Sequence, residues 1–152
     1  MCDDDDVAAW AAAAGATPIS CPPGGLNVAV TASLDELQRR GFDVAVIAHG
    51  DLPLARQLDH TVTPDAVCAV PDHRGDGTNV LAVPTSLAGA FTFQYGRGSF
   101  PRHVREALRC GLAARVLRDA DLGLDLDTAA DLADERMDEV RQWLRTNQAS
   151  PR

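Results

Sequence analysis

Apolar positions along this chain form short runs of two kinds, and the turn residues between them set the predicted elements. "VAAWAAAA" (7–14) is helix-forming throughout and stops at Gly15, where a helix ends readily. "TPISC" (17–21) predicts a short strand, followed by the turn-forming "PPGG". From Leu26 to Arg40 apolar side chains recur at 26, 30, 34 and 37, the spacing of one helix face, and Gly41 closes the segment. "DVAVIA" (43–48) is continuous instead, as in a strand covered on both faces, until Gly50 and Pro53 interrupt it. "AVCAV" (66–70) and "NVLAVP" (79–84) predict strands around the polar "PDHRGDGT", with further short strands at "FTFQY" (91–95) and "AARVLR" (113–118). "SFPRHVREALRCG" (99–111) has Pro near its start and Gly at its end, the asymmetry of a helix. A last helix is predicted from Thr128 to about Leu144, with Leu132, Met137, Val140 and Leu144 on one side, and residues 146–152 read as a disordered tail.

Strands alternating with helices predict an α/β sandwich around a mostly parallel sheet, with residues 1–145 as one domain. Such sheets bind ligands beyond the carboxyl ends of their strands, so the turns after strands hold the candidate chemistry.

Composition narrows the function. The 45% hydrophobic and 24% charged fractions are those of a soluble globule. No apolar run approaches the ~18 residues of a membrane span. The opening "MCDDDD" is acidic where a secretory signal is basic. Cys2, Cys21, Cys68 and Cys110 are scattered without metal-knuckle spacing, which predicts reduced thiols and a cytoplasmic protein. A net charge of −8 argues against nucleic acid or an anionic membrane as partner. All 14 basic residues are Arg, so any cation presented to a phosphate is a guanidinium or a metal ion.

"GLDLDTAADL" (123–132) places Asp125 and Asp127 on alternate residues, pointing the same way if the backbone is extended. Two carboxylates so close repel unless one is protonated or a cation lies between them. Mg²⁺ resolves that conflict with carboxylate, water and phosphate oxygens. Asp51 lies just beyond the strand 43–48, where a site is expected. An ordinary explanation stands beside this one: Asp127 caps the helix near Thr128, Asp131 sits at its positive end, and Asp125 is simply solvated. Spacing alone leaves both open. "GDGTN" (75–79) and "GRGS" (96–99) are short glycine loops that let backbone N–H groups approach an anion, with Arg97, Arg102 and Arg105 near the second. Equally, Ser99 caps its own helix and "GDG" is a plain turn. His49, His60, His73 and His103 form no metal-ligand set.

Taken in order, "GLN" (25–27), "GDLP" (50–53), "PDHRGDGTNVL" (71–81), "GRGSFPRH" (96–103) and "LDLDTAADL" (124–132) resemble the CofC-type guanylyltransferases of deazaflavin coenzyme F(420) biosynthesis. These are known as 2-phospho-L-lactate or phosphoenolpyruvate guanylyltransferases. The resemblance implies a Rossmann-like nucleotidyltransferase fold of the nucleotide-diphospho-sugar transferase type, a three-layer sandwich with a mixed, mostly parallel sheet. Matched residue by residue, it places Asp51, Asp125 and Asp127 on the family's metal ligands, implying Mg²⁺, two ions. Thr78, Gly96 and Ser99 fall on positions that hold the phosphorylated three-carbon acid, and Asn27 on a segment bordering the nucleotide. It implies transfer of GMP from GTP to the acid's phosphate with release of pyrophosphate. A phosphate is already ionised at neutral pH, so no catalytic residue beyond the metal ligands is implied. The family's first strand and basic triphosphate loop have no counterpart, so the expectation is an N-terminally truncated domain, its C-terminal two-thirds. The rival expectations are a related nucleotidyltransferase with another acceptor, or an inactive fragment acting only as a binding domain.

Overall fold

The computed structural model describes residues 4–147; Cys2 and residues 148–152 of the expected tail lie outside the described residues. Helix α1 runs Asp5–Ala13, earlier than its apolar run suggests. Asp4 is the reason: its carboxylate accepts the N–H groups of Asp6 at 2.9 Å and Val7 at 3.0 Å, and Asp5 and Asp6 favour the positive helix end. Helix α2, Leu26–Arg39, buries Val30 and Leu34. Gly41, at φ 81°, supplies the left-handed turn that stops it.

Strands β1 (Val44–Ala48), β2 (Ala66–Pro71), β3 (Thr78–Pro84) and β4 (Ala113–Val116) form one sheet in the order β1-β3-β2-β4. Helix α3 covers Ser99–Arg109; the chain ends in α4 (Ala129–Leu132) and α5 (Asp138–Asn147). The sheet is mixed, but the expected parallel majority holds for strand direction and not for pairing. β1, β2 and β4 run the same way and β3 alone runs against them; lying between β1 and β2, it makes both of its pairings antiparallel. Only β2 and β4 pair in parallel. The cause is the short connection 72–77, which closes a hairpin where a parallel crossover needs a dozen residues or more.

Every residue of β2 and β3 is buried. On one face Val67, Ala69, Leu81 and Val83 pack with Val30 and Leu34 of α2 and Ala107 of α3. On the other, Val70 and Val80 pack with Leu52 and Leu122, so irregular chain covers that side.

Three predicted elements change. The 17–21 strand is reduced to an isolated bridge at Ser20, because Pro18, Pro22 and Pro23 offer no donors to a ladder. "FTFQY" is extended but joins no sheet. Its donors go to side chains: Thr92 N–H to Glu106 at 2.7 Å, Gln94 N–H to His103 at 3.0 Å and Tyr95 N–H to Asn27 at 2.7 Å. Phe91, Phe93 and Tyr95 still alternate inward. The helix expected from 128 to 144 is broken after Leu132 by a 3-10 turn at Glu135–Met137. There the Asp134 carboxylate takes the Arg136 N–H, and Arg141 donates to the carbonyls of Leu132 and Asp134.

Candidate active site

Strand direction brings the chemistry to one edge. The carboxyl ends of β1, β2 and β4 lie at the sheet edge where β3 starts, Ala48 pairing with Val80 and Pro71 with Thr78. β1 leads into His49, whose N–H extends the ladder to the Asn79 carbonyl at 3.0 Å, and then into Gly50 and Asp51. The segment after β4 folds back over this edge. The Asp119 carboxylate accepts the N–H groups of Asp121 and Leu122 at 2.9 and 3.0 Å, which holds its carboxyl below the usual carboxylate range. The buried Asn79 amide donates to the Leu122 carbonyl at 3.0 Å. At Gly123 a Cβ would stand 2.8 Å from the Asp119 carbonyl oxygen, so only glycine lets the chain pass so close.

The same segment then reaches Asp51. Leu126 N–H donates to the Asp51 carbonyl at 3.0 Å, putting Asp125 and Asp127 on either side of a residue bonded to Asp51. The helix that follows takes its cap elsewhere. Thr128 is the N-cap of α4 in a capping box with Asp131, and the Asp131 carboxylate accepts Thr128 N–H at 2.6 Å, Thr128 Oγ1–H at 2.8 Å and Asp127 N–H at 3.1 Å. The ordinary explanation of Asp127 as cap is therefore replaced by Thr128. The Asp51 and Asp127 carboxylates are exposed and make no hydrogen bond or ion pair within the described residues.

Asp125 is the least satisfied of the three. Its side chain is 14% exposed, and Oδ1 is buried without a hydrogen-bond partner. His73 Nδ1 comes only to 3.5 Å, beyond a good hydrogen bond. Among the described residues no three His, Cys, Asp or Glu side chains form a ready-made metal cage. A Mg²⁺ ion needs none, since one or two carboxylates with water and substrate phosphates complete its shell. An orphaned carboxylate oxygen with two uncommitted carboxylates on adjoining backbone fits an ion held in that way.

The second group of candidates meets at the start of β3 and α3. Asp72 takes the N–H groups of Asp76 and Gly77, both at 2.9 Å, shaping the 72–77 loop. Asp76 takes Gly98 N–H at 3.0 Å and, through its carbonyl, Phe100 N–H at 3.0 Å. These bonds dock the "GRGS" loop onto the hairpin and bring Ser99 Oγ to 3.2 Å from Thr78 Oγ1. Both residues are buried, at 2% and 1% exposure. Gly96 is exposed beside them at φ 114°, a backbone setting that disfavours side chains. Arg102 turns back to the carbonyls of Arg97 and Gly98, while Arg97 and Arg105 remain exposed.

Asn27 bonds the main chain of Tyr95. Its amide accepts Tyr95 N–H at 2.7 Å and donates to the Tyr95 carbonyl at 3.4 Å, so it anchors the 91–95 segment to α2. The cleft beside it is real: about 770 Å³, running from residues 21–26 and Ala29 past Ile47–His49 to Asp51. Sequence reasoning passed over His103, which is wholly buried and bonds Thr78 Oγ1 through Nδ1 at 3.0 Å. The available signal was the spacing of four between Ser99 and His103, which puts both on one helix face.

Comparison with known proteins supplies the relatives. The chain is 38% identical over 136 residues to a phosphoenolpyruvate guanylyltransferase from Sphaerobacter thermophilus, covering 85% of this chain and 64% of that protein. It is 37% identical over 129 residues to a 3-phospho-D-glycerate guanylyltransferase from Phenylobacterium zucineum, covering 80% and 58%. A 2-phospho-L-lactate guanylyltransferase from Methanothermobacter thermautotrophicus matches at 35% over 99 residues, covering 61% and 42%. The chain thus spans less than two-thirds of the length of these relatives. Among solved structures, a protein from Desulfovibrio desulfuricans G20, provisionally assigned as a nucleotide-diphospho-sugar transferase, superposes with a TM-score of 0.69. The match covers 98% of this chain and 71% of that one at 17% identity, a likeness of fold. With the family model for CofC-like guanylyl transferases matching residues 1–141, the chain belongs to that family.

Proposed function

We propose that this chain carries the metal-binding edge and acceptor site of a guanylyltransferase that joins GMP from GTP to the phosphate of a small phospho-acid, phosphoenolpyruvate or a close analogue. Pyrophosphate is the leaving group. The observation that carries the proposal is the Leu126 N–H bond to the Asp51 carbonyl at 3.0 Å, beside the orphaned Asp125 Oδ1. Together they support a reading in which Asp51, Asp125 and Asp127, on adjoining backbone beyond the strand ends, serve one site, the usual position for a ligand in such a sheet. In the proposal Asp125, with Asp51 and Asp127 adjoining, holds Mg²⁺, two ions in the full site. A cation bound there would offset the repulsion between two phosphorylated reactants.

The chain's own residues do the rest. The cleft from Cys21 to Asp51 takes the nucleotide with its phosphates toward Asp51. Thr78, Ser99 and the Gly96 backbone hold the acid, and the Asp76 bonds keep the two loops in register. Holding both reactants in line accounts for much of the barrier reduction in phosphoryl transfer, since an ionised phosphate needs no base. The acidic surface is consistent with this arrangement, because aspartates bind cations and cations bind the substrates. The free thiols of Cys21, Cys68 and Cys110 support a reducing, cytoplasmic setting; no helix among the described residues is long and apolar enough to cross a membrane.

The test is to supply the chain with GTP, Mg²⁺ and each of phosphoenolpyruvate, 3-phospho-D-glycerate and 2-phospho-L-lactate, measuring pyrophosphate and the GMP adduct. One acid is expected to be preferred, and the Asp125→Asn, Asp127→Asn double variant to lose at least ~10²-fold in rate. Full activity in that variant, or no product with any acid, would overturn the proposal.

A further inference from the structure

One buried titratable group plays no part in the account above. His103 of α3 is enclosed by the rings of Phe91, Phe93 and Tyr95, the Tyr95 ring centroid lying 4.8 Å away. Both ring nitrogens are engaged: Nε2 lies 3.0 Å from the Gln94 main-chain nitrogen, and Nδ1 lies 3.0 Å from Thr78 Oγ1. A main-chain N–H can only donate, so Nε2 must present its lone pair. The groups facing the ring are Arg102 and Glu106 on its own helix, Tyr95, and His49 from the end of β1. Burial, reinforced by Arg102 and His49 against the opposing pull of Glu106, brings the His103 pKa down to about 4. The ring is therefore neutral near pH 7 and owns one proton. With Nε2 occupied as an acceptor, that proton sits on Nδ1 and is donated to Thr78 Oγ1, an assignment made from the hydrogen-bond network.

Counting protons along the chain gives a surplus. Ser99 Oγ is 3.2 Å from Thr78 Oγ1, and one hydroxyl proton bridges the two oxygens. The pair owns two such protons. The second has no acceptor among the described residues, for neither hydroxyl has another partner there. If the ring proton were on Nε2, Thr78 would donate to Nδ1 and no proton would be left over. The tautomer thus decides whether the pair is closed on itself or can donate outward.

We propose that His103 is a positioning residue that, by keeping its ring proton on Nδ1, makes the Thr78–Ser99 hydroxyl pair a net hydrogen-bond donor to an anionic oxygen of the acceptor acid. This rests on the reading that the pair holds the phospho-acid. Gln94 acts through its backbone, which no side-chain substitution removes, so the preference is built into the 91–95 segment.

Two measurements on the full chain test it. Long-range ¹H–¹⁵N NMR on labelled wild-type protein at pH 7 is expected to show His103 as the Nδ1–H tautomer; the Nε2–H tautomer overturns the inference alone. Phosphoenolpyruvate binding by calorimetry is expected to weaken ~10-fold in His103→Phe, the scale of one lost hydrogen bond to a charged ligand. His103→Asn, whose amide nitrogen stands near the Nδ1 position and donates to Thr78, is expected to recover most of that affinity. His103→Gln, whose nitrogen stands near Nε2, is not. A merely structural histidine would rank the variants by stability and not by donor position, and equal affinities for Asn and Gln overturn the inference. If His103→Phe fails to fold, the Asn and Gln pair and the tautomer still decide. Weakened binding in Ser99→Ala with none in the His103 variants overturns this inference and spares the acid site. Unchanged binding in Ser99→Ala, or none in wild type, overturns both.

Discussion

Replacing Asp125 with asparagine keeps the side chain's shape and removes its charge, and the structure sets two opposite consequences. Asp125 Oδ1 is buried without a hydrogen-bond partner among the described residues, His73 Nδ1 standing 3.5 Å away, on a side chain 14% exposed. A buried unsatisfied polar group costs about 1–3 kcal/mol, more when charged. Asparagine still buries a polar atom there, so the relief is the lower part of that range, about 1 kcal/mol. For a chain of 152 residues that corresponds to about 2–4 °C in Tm. Metal-free Asp125→Asn is therefore expected to melt no lower than wild type and up to a few degrees higher. Mg²⁺ should then separate the two proteins the other way. An ion bound with a Kd of about 1 mM stabilises the folded chain by about 1.4 kcal/mol at 10 mM, roughly 3–5 °C, when the unfolded chain does not bind it. Wild type is expected to show that rise and the variant to lack it. The assay is thermal unfolding followed by circular dichroism, with Mg²⁺ against an equal ionic strength of NaCl. Equal Mg²⁺ responses would refute the role of Asp125 as ligand. A metal-free loss above ~1 kcal/mol would refute the orphaned oxygen.

Two further outcomes follow from the same contacts. Gly123→Ala drives a Cβ to 2.8 Å from the Asp119 carbonyl, and such overpacking costs about 1–3 kcal/mol; urea unfolding is expected to report that loss together with a fall in activity, because the displaced segment carries Asp125. Glu106 receives the Arg109 guanidinium and Thr92 N–H, which bring its pKa down to about 2 from 4.5. Its unfolded form takes up a proton first as pH falls, so its contribution is complete above about pH 4.5 and lost toward pH 2. Urea midpoints are expected to show a smaller acid loss in Glu106→Gln than in wild type, and parallel losses would count against the ion pair.

Much of the scaffold was legible because it rests on local rules. Apolar spacing with a glycine stop predicted a helix over 26–40, found as α2 at Leu26–Arg39, and the Pro–Gly asymmetry one over 99–111, found as α3 at Ser99–Arg109. Continuous apolar runs predicted β1, β2 and β3; β2 and β3 are covered on both faces and so have no polar alternation to show, whereas β1, at the sheet edge, is mostly half-buried, not covered as its run suggested. "FTFQY" was misleading for a physical reason. It has the inward alternation of a strand, yet its donors bond the side chains of Glu106, His103 and Asn27, which lie far off in sequence. The candidate site residues were proposed by type and by family resemblance. What pairs with what was not: Asp127 looked like a cap, and only the Asp131 carboxylate on Thr128 frees it of that task.

Local sequence determined where most helices start and stop, where the sheet strands lie, and that carboxylates and glycine loops lie at element ends, because capping, periodicity and turn chemistry act over a few residues. Only the tertiary structure decided that β3 lies between β1 and β2, that Leu126 bonds Asp51, and that Thr78 bonds both Ser99 and His103. Those contacts join residues tens of positions apart. Their existence depends on sheet order and packing, which no local propensity encodes.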